Sequence, residues 1–278
     1  MAGVLNCLCY IERFYEMKKE KGILVVSYGS SYKEEREKSI GGIEQAIAEA
    51  FSEYKIYRAF TSESIIERIW KKEGYRVDTI GEALQRALAD GVRKMVIIQT
   101  HLVKGIRYEA MEQAVASYNN QFEELCVAQP VLSIENNIEA FAHGLASIGK
   151  TYDDGKTAVC FVGHGIDEDT GTAYHILQQH LNAKGYEHFY IGTLSMYPTR
   201  TDIVECMQEK SVKQRVVLMP LMLVSGYHVR KDLAGVSENS WMNTFKRAGY
   251  DVECVKKGLG EEKFVQNMFV DHLKNVIL

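Results

Sequence analysis

Apolar residues along this chain come in two rhythms that take turns. Short, nearly continuous apolar runs of strand length occur at Ile23–Ser27, Ile56–Phe60, Met95–Gln99, Cys126–Ala128, Ala158–Val162, Phe189–Gly192, Val216–Val224 and Val252–Val255. Between them, apolar positions recur at helical spacing, as in Ile40, Ile43, Ile47, Ala50 and Phe51, or Ile80, Ala83, Leu84, Ala87 and Leu88. Further helices are expected around Ile65–Trp70, from about Arg107, over Asn136–Ile148, Gly171–Lys184, Thr201–Glu209 and Asn239–Ala248, and from Glu261 onward. The last places Phe264, Val265, Met268, Phe269, Leu273 and Val276 on one broad face. Strands that alternate with helices predict an α/β protein, with parallel sheets covered by helices on both faces.

The pattern also repeats. Val25-Val26-Ser27-Tyr28-Gly29 aligns with Phe161-Val162-Gly163-His164-Gly165. The run Val96 to Gly105 aligns with Val217 to Gly226. This sets Tyr28 opposite His164 and Arg107 opposite His228. We therefore expect two similar α/β domains facing a central cleft, residues 1–135 and 136–278, with an N-terminal extension and a C-terminal helix that packs back across the cleft.

In parallel α/β sheets the ligand crevice lies at the carboxyl ends of the strands, so the residues there are the candidates. The stretch Val216–Asp232, VVLMPLMLVSGYHVRKD, passes from an apolar run through Ser225-Gly226 to His228, Arg230, Lys231 and Asp232. Ala158–Gly165 ends in Gly-His-Gly, and glycines beside His164 permit a sharp turn and a close ligand. His101 also follows a strand, ahead of Lys104, Gly105 and Arg107. Tyr28-Gly29-Ser30-Ser31 could offer hydroxyls and N–H groups to an anion, or be a plain strand-to-helix turn. The wide separation of His164 and His228 is not metal-motif spacing, so the residues alone leave a shared site open. Gly163-His164-Gly165 lacks the third glycine of a dinucleotide fingerprint, and no G-x-S-x-G is present.

Composition narrows the partners. The 278 residues carry a net charge of −4, with 46% hydrophobic and 25% charged residues, an ordinary globular balance. Nothing in that balance points to nucleic acid or a membrane surface, so an acidic ligand must be met by local basic residues. The six cysteines are scattered and read as reduced thiols. The N-terminal stretch lacks the basic start of a signal peptide, and a cytoplasmic protein is expected.

The segments GILVVSYGSSYKE, YRAFTSESII, QTHLVKGIRYE, FVGHG, GTLSMYP, LMPLMLVSGYH and GYDVECVKKGLGE, in that order from about Gly22 to the C-terminus, resemble the anaerobic sirohydrochlorin cobaltochelatases of the CbiK type. These are relatives of the class II chelatases that include ferrochelatase. The resemblance implies two flavodoxin-like domains around a tetrapyrrole cleft and nucleotide-independent insertion of a divalent metal during cobalamin synthesis. Cobalt is the chief metal, with Fe²⁺ or Ni²⁺ as alternatives. It further implies that His164 and His228 bind the metal. One of the two, His164 first, would accept a pyrrole proton. Tyr28, Ser30, His101, Arg107, Ser195, Tyr227, Arg230 and Lys231 would line the tetrapyrrole, sirohydrochlorin-like or haem, with Arg58 and Lys104 as further anion contacts. A homo-oligomer is an open expectation.

Two departures touch this site. Ser195 stands where the family has a glutamate, in its GTVEGYP segment. Tyr227-His228-Val229-Arg230-Lys231-Asp232 replaces the family's D-H-A-x-N-D. Losing a carboxylate weakens the pull on a dication, while added positive charge favours a polycarboxylate. A tetrapyrrole or haem binder without insertion activity, or a chelatase homologue that removes metal, is therefore the alternative. A two-lobed solute binder of periplasmic type is a third reading, disfavoured by the absence of an export signal.

Overall fold

The computed structural model describes residues 20–165, 168–210 and 214–277; the N-terminal twenty-residue extension falls almost wholly outside them. The first half contains β1 (Lys21–Ser27), α1 (Lys33–Ala50), β2 (Tyr54–Phe60), α2 (Glu63–Glu73), α3 (Ile80–Ala89), β3 (Lys94–Gln99), α4 (Ile106–Ala116) and β4 (Glu124–Val127). The second contains α5 (Glu135–Lys150), β5 (Thr157–Gly163), α6 (Glu168–Ala183), β6 (Phe189–Thr193), α7 (Arg200–Glu209), β7 (Arg215–Pro220), α8 (Trp241–Arg247), β8 (Asp251–Cys254) and α9 (Lys263–Ile277). Each half builds a four-stranded parallel sheet, and the strand orders, β2-β1-β3-β4 and β6-β5-β7-β8, are the same pattern used twice. The expected parallel α/β architecture is the observed one.

The alternating faces of the central strands explain the layers. Ile23, Val25 and Ile98 point to one side and Leu24, Val26, Met95 and Ile97 to the other, where Ala83, Leu84 and Ala87 of α3 and Met111 and Val115 of α4 cover them. The first side belongs to a core that runs on through Phe141 and Leu145 of α5, Val159 and Phe161 of β5, and Val265, Phe269 and Leu273 of α9. A single apolar cluster thus joins the two sheets. Helix α9 packs against both α1 and α5, so its broad apolar face serves both halves.

One sequence expectation is corrected here. The apolar run Val216–Val224 is not a strand throughout: β7 stops at Pro220, which has no N–H to continue a ladder. Leu221 and Leu223 pack into the core shared by the halves, and Val224 packs against Ile40, Phe60, Ile66, Ile69 and Val77 of the first half. The run stays apolar beyond the strand because it is the joint between the halves. Cys126, grouped with the apolar strands, is exposed on the short edge strand β4. Among the described residues no helix is long and apolar enough to cross a membrane.

Candidate functional site

The crevice at each sheet's topological switch lies between its two central strands, β1 and β3 in the first half and β5 and β7 in the second. At the end of β5 the chain must turn with almost no room. A Cβ on Gly163 would stand 2.4 Å from the Tyr174 ring, and Gly165 adopts φ +63° with Thr193 where a side chain would go. Glycine at both places lets His164 project from the strand end.

His228 reaches the same place by another route. It lies past β7, on a short helical turn that runs into a π-helical stretch, Val229–Leu233. Its ring meets that of His164 at 4.5 Å between centroids and 88° between planes. The structure therefore brings together the two histidines that their spacing left unconnected. One turn on, Asp232 Oδ2 lies 2.7 Å from His228 Nδ1. A carboxylate there fixes the tautomer with hydrogen on Nδ1 and leaves Nε2 as the free lone pair. Asp232 was legible as a helical i+4 neighbour of His228, yet only the turn made it a partner.

Burial, then the neighbouring His228 and Arg107, hold the His164 pKa down to about 4, with Asp232 acting the other way. His101 is likewise held to about 4, by burial first and then by Arg107 and His164, and its Nδ1 is buried without a hydrogen-bond partner. Both rings are neutral near neutral pH, with lone pairs available to a metal. Burial and the neighbouring charges therefore favour the neutral ring of His164 over its protonated form. Among the described residues no three His, Cys, Asp or Glu side chains converge to hold a metal.

Ser195 is beside this pair: its N–H donates to the His164 carbonyl at 3.2 Å, and its side chain is exposed. Tyr227 is half exposed with its ring 5.5 Å from that of His228, and Lys231 Nζ lies 5.2 Å from the Tyr227 centroid. In the first half the Arg107 guanidinium stacks on the Tyr28 ring at 4.2 Å. Lys104 lies 6.0 Å from the Tyr108 centroid.

Three expected ligand contacts are engaged elsewhere. Ser30 is buried; its Oγ accepts the Tyr32 N–H at 3.3 Å and its carbonyl accepts Arg36 Nη1 at 3.1 Å. A Cβ on Gly226 would come within 3.6 Å of that Oγ, so Ser30 belongs to the joint between the two site-bearing turns. Arg58 is bound by Glu44 and Glu37 on α1. Arg230 pairs with Glu35 of α1 and stacks on Tyr32 at 4.6 Å, tying the His228 turn to the first half. Nothing in the sequence marked Glu35 or Tyr32, because their roles exist only once the halves meet. Arg36, fully buried, binds Glu73 through two nitrogens at 3.0 and 2.8 Å, Glu37 through Nε at 3.0 Å, and the Ser30 carbonyl, so a buried guanidinium held by two carboxylates anchors the turn that carries Tyr28.

The chain matches the model of the cobalt chelatase (CbiK) family over residues 21–278. The chain belongs to that family. It is 31% identical over 262 residues to the sirohydrochlorin cobaltochelatase of Salmonella typhimurium, covering 93% of this chain and 97% of that protein. It is 27% identical to the sirohydrochlorin cobaltochelatase CbiKC of Nitratidesulfovibrio vulgaris, covering 91% and 89%. Among solved structures, SirB from Bacillus subtilis with Fe³⁺ superposes with a TM-score of 0.63 at 15% identity, covering 92% of this chain and 95% of that one. CbiX, the terminal enzyme of sirohaem biosynthesis in denitrifying bacteria, gives 0.58 at 14% identity, covering 92% and 99%. At those identities the two structures establish the class II chelatase fold. The cobalt chelatase family and the site's two facing imidazoles point to the same chemistry.

Proposed function

We propose that this cobalt chelatase family member inserts Co²⁺ into sirohydrochlorin in the cytoplasm, without a nucleotide, as a step toward cobalamin. The observation that carries the reading is the edge-to-face contact of His164 and His228 at the β5/β7 crevice. Two neutral imidazoles suit Co²⁺, and also Fe²⁺ and Ni²⁺. Insertion forms metal–nitrogen bonds while two pyrrole N–H bonds break and their protons leave. His164, buried and neutral, serves as a ligand. His228, more exposed and backed by the Asp232 carboxylate, is the better placed of the two to take a proton and pass it to solvent. Tyr28, Tyr227 and the open edge at Ser195 give the macrocycle surfaces to lie against, and Arg107 and Lys231 face its carboxylates. His101 lines the same crevice.

The test is to add Co²⁺, Fe²⁺ or Ni²⁺ to protein with sirohydrochlorin and follow the absorption spectrum. Co²⁺ is expected to give the fastest metal-dependent change, and His164→Ala to abolish it. No change with any of the three metals ends this reading. The lack of a third protein ligand among the described residues favours one other reading, a tetrapyrrole or haem binder without insertion activity. Tight binding of metal-free sirohydrochlorin or haem without turnover, together with insertion activity gained by Ser195→Glu, would establish it.

A further inference from the structure

The two histidines are held in place by different parts of the molecule. His164 is set by its own half: Gly163 fits against the Tyr174 ring, Gly165 against Thr193, and the His164 carbonyl accepts the Ser195 N–H at 3.2 Å. His228 sits on a turn that both halves grip. On one side Val229 and Leu233 are fully buried in the apolar cluster of the second half, with Trp241 and Phe245. On the other side Arg230, two residues past the histidine, reaches the start of α1 in the first half. There it pairs with Glu35 and stacks on Tyr32 at 4.6 Å.

The form of the turn makes the double grip possible. The π-helical stretch Val229–Leu233 closes with the Ala234 N–H donating to the Val229 carbonyl at 2.9 Å, and this wider winding buries Val229 and Leu233 while Arg230 stays half exposed. The Arg230 N–H donates to the Gly226 carbonyl at 3.2 Å, and a Cβ on Gly226 would lie 3.6 Å from Ser30 Oγ. One helical turn therefore meets the first half twice, at its base through Gly226 and at its side through Arg230. Tyr32 is the N-cap of α1 and Glu35 lies in its first turn, so both partners of Arg230 move with one helix end. A planar guanidinium can lie on the Tyr32 ring by its face and bind the Glu35 carboxylate by its edge at the same time.

We infer that Arg230 is a positioning residue, whose clasp on Tyr32 and Glu35 of the first half holds the His228 turn where its ring meets that of His164. His164 is fixed by its own half, so the relation of the two rings depends on how the His228 turn is held. The clasp makes that relation a property of both halves. It can bias the turn by no more than its own contacts are worth. For one partly exposed ion pair and one cation–π stack that is about fivefold in metal affinity. The inference rests on the functional reading above, and deepens it by adding a residue that acts on the metal through His228 without touching it.

Two titrations test it. Co²⁺ binding to the full chain is measured by calorimetry for wild type, Arg230→Met, Glu35→Gln, the double variant, and Glu34→Gln, whose carboxylate holds Lys38. Metal-free sirohydrochlorin binding is measured by absorption for the same set. Arg230→Met and Glu35→Gln are each expected to bind Co²⁺ about fivefold more weakly. The double variant should be no worse than either, because the two side chains act as one contact. Glu34→Gln should match wild type, and sirohydrochlorin affinity should stay near wild type throughout. The sign in Arg230→Met separates holding from charge, since removing a positive charge near a dication by itself tightens binding. The visible absorption of bound Co²⁺ reports its ligand geometry and is expected to shift in Arg230→Met. Unchanged or tighter Co²⁺ binding in Arg230→Met overturns the clasp, as do additive losses in the double variant or an equal loss of sirohydrochlorin binding. In each of these cases a wild type that inserts Co²⁺ leaves the functional reading standing. A wild type that inserts no metal removes both.

Discussion

The two halves of this chelatase share a strand order, a register and a crevice, yet equip the crevice differently. At matching positions the second half carries His164 and His228, the first Tyr28 and Arg107. One pair offers lone pairs to a cation; the other offers a π-face and a cation to an anion. The scaffold fixes where two side chains meet, at a parallel sheet's switch point, and does not dictate what they do there. Duplication of the fold gave two meeting points. On the proposed function, side-chain chemistry then divides the work of handling a metal and a polycarboxylate between them.

The largest effect should come from removing the pair itself. His164→Ala or His228→Ala should each weaken Co²⁺ binding by more than about 100-fold, beyond the range usual for supporting residues, with little change in sirohydrochlorin affinity; calorimetric and optical titrations check both. An equal loss of tetrapyrrole binding would break the proposed division of work.

Next is the anchor under the Tyr28 turn. Arg36 is fully buried and held by both Glu73 and Glu37, so Glu73→Gln removes one of its two carboxylates and should cost about 2 kcal/mol of stability at neutral pH. Arg36 holds the Glu73 carboxylate below its ordinary range. A carboxylate depressed in the folded state stabilises above its unfolded pKa, and that contribution is lost as pH falls through the folded value. Urea melts on the acid side should therefore show wild type losing stability that Glu73→Gln has already lost, so that the two curves converge.

Smaller again is the support behind His228. Asp232→Asn should weaken Co²⁺ binding by about tenfold, the lower end for a group that orients a metal-ligating histidine. Nitrogen NMR of the His228 ring should show its tautomers becoming mixed, a change that a purely structural role for Asp232 would not produce. The subtlest test converts one half into the other. Tyr28→His combined with Arg107→His should add a second, weak equivalent of Co²⁺ in calorimetry; a stoichiometry that stays at one would mean the two meeting points are less alike than their registers.

Much of this was legible in the chain. The alternation of apolar runs with helical periodicity called for parallel sheets, since each central strand is buried on both faces and each helix on one. The internal repeat was readable because both halves solve the same packing problem with the same spacing. His164 was readable because the flanking glycines betray a backbone with no space for a Cβ. The motifs also pointed to the chelatase family. What periodicity could not reveal is how the halves touch. Val224 looked like strand, because a side chain buried at a joint between lobes has the same apolar signature as one buried in a sheet. Ser30, Arg58 and Arg230 looked available to a ligand, because a sequence does not show which carboxylate or turn from the other end of the chain will claim a polar group. Glu35 carried no signal for the same reason.

The meeting of His164 with His228 and of Arg107 with Tyr28 belongs to the tertiary structure as well. Local pattern determined the strands, the turns and the residue types offered at their ends. Only the closing of β5 beside β7 and β1 beside β3 turned residues far apart in sequence into two pairs in contact, because contact energies act through space and hydrophobic periodicity is written along the chain.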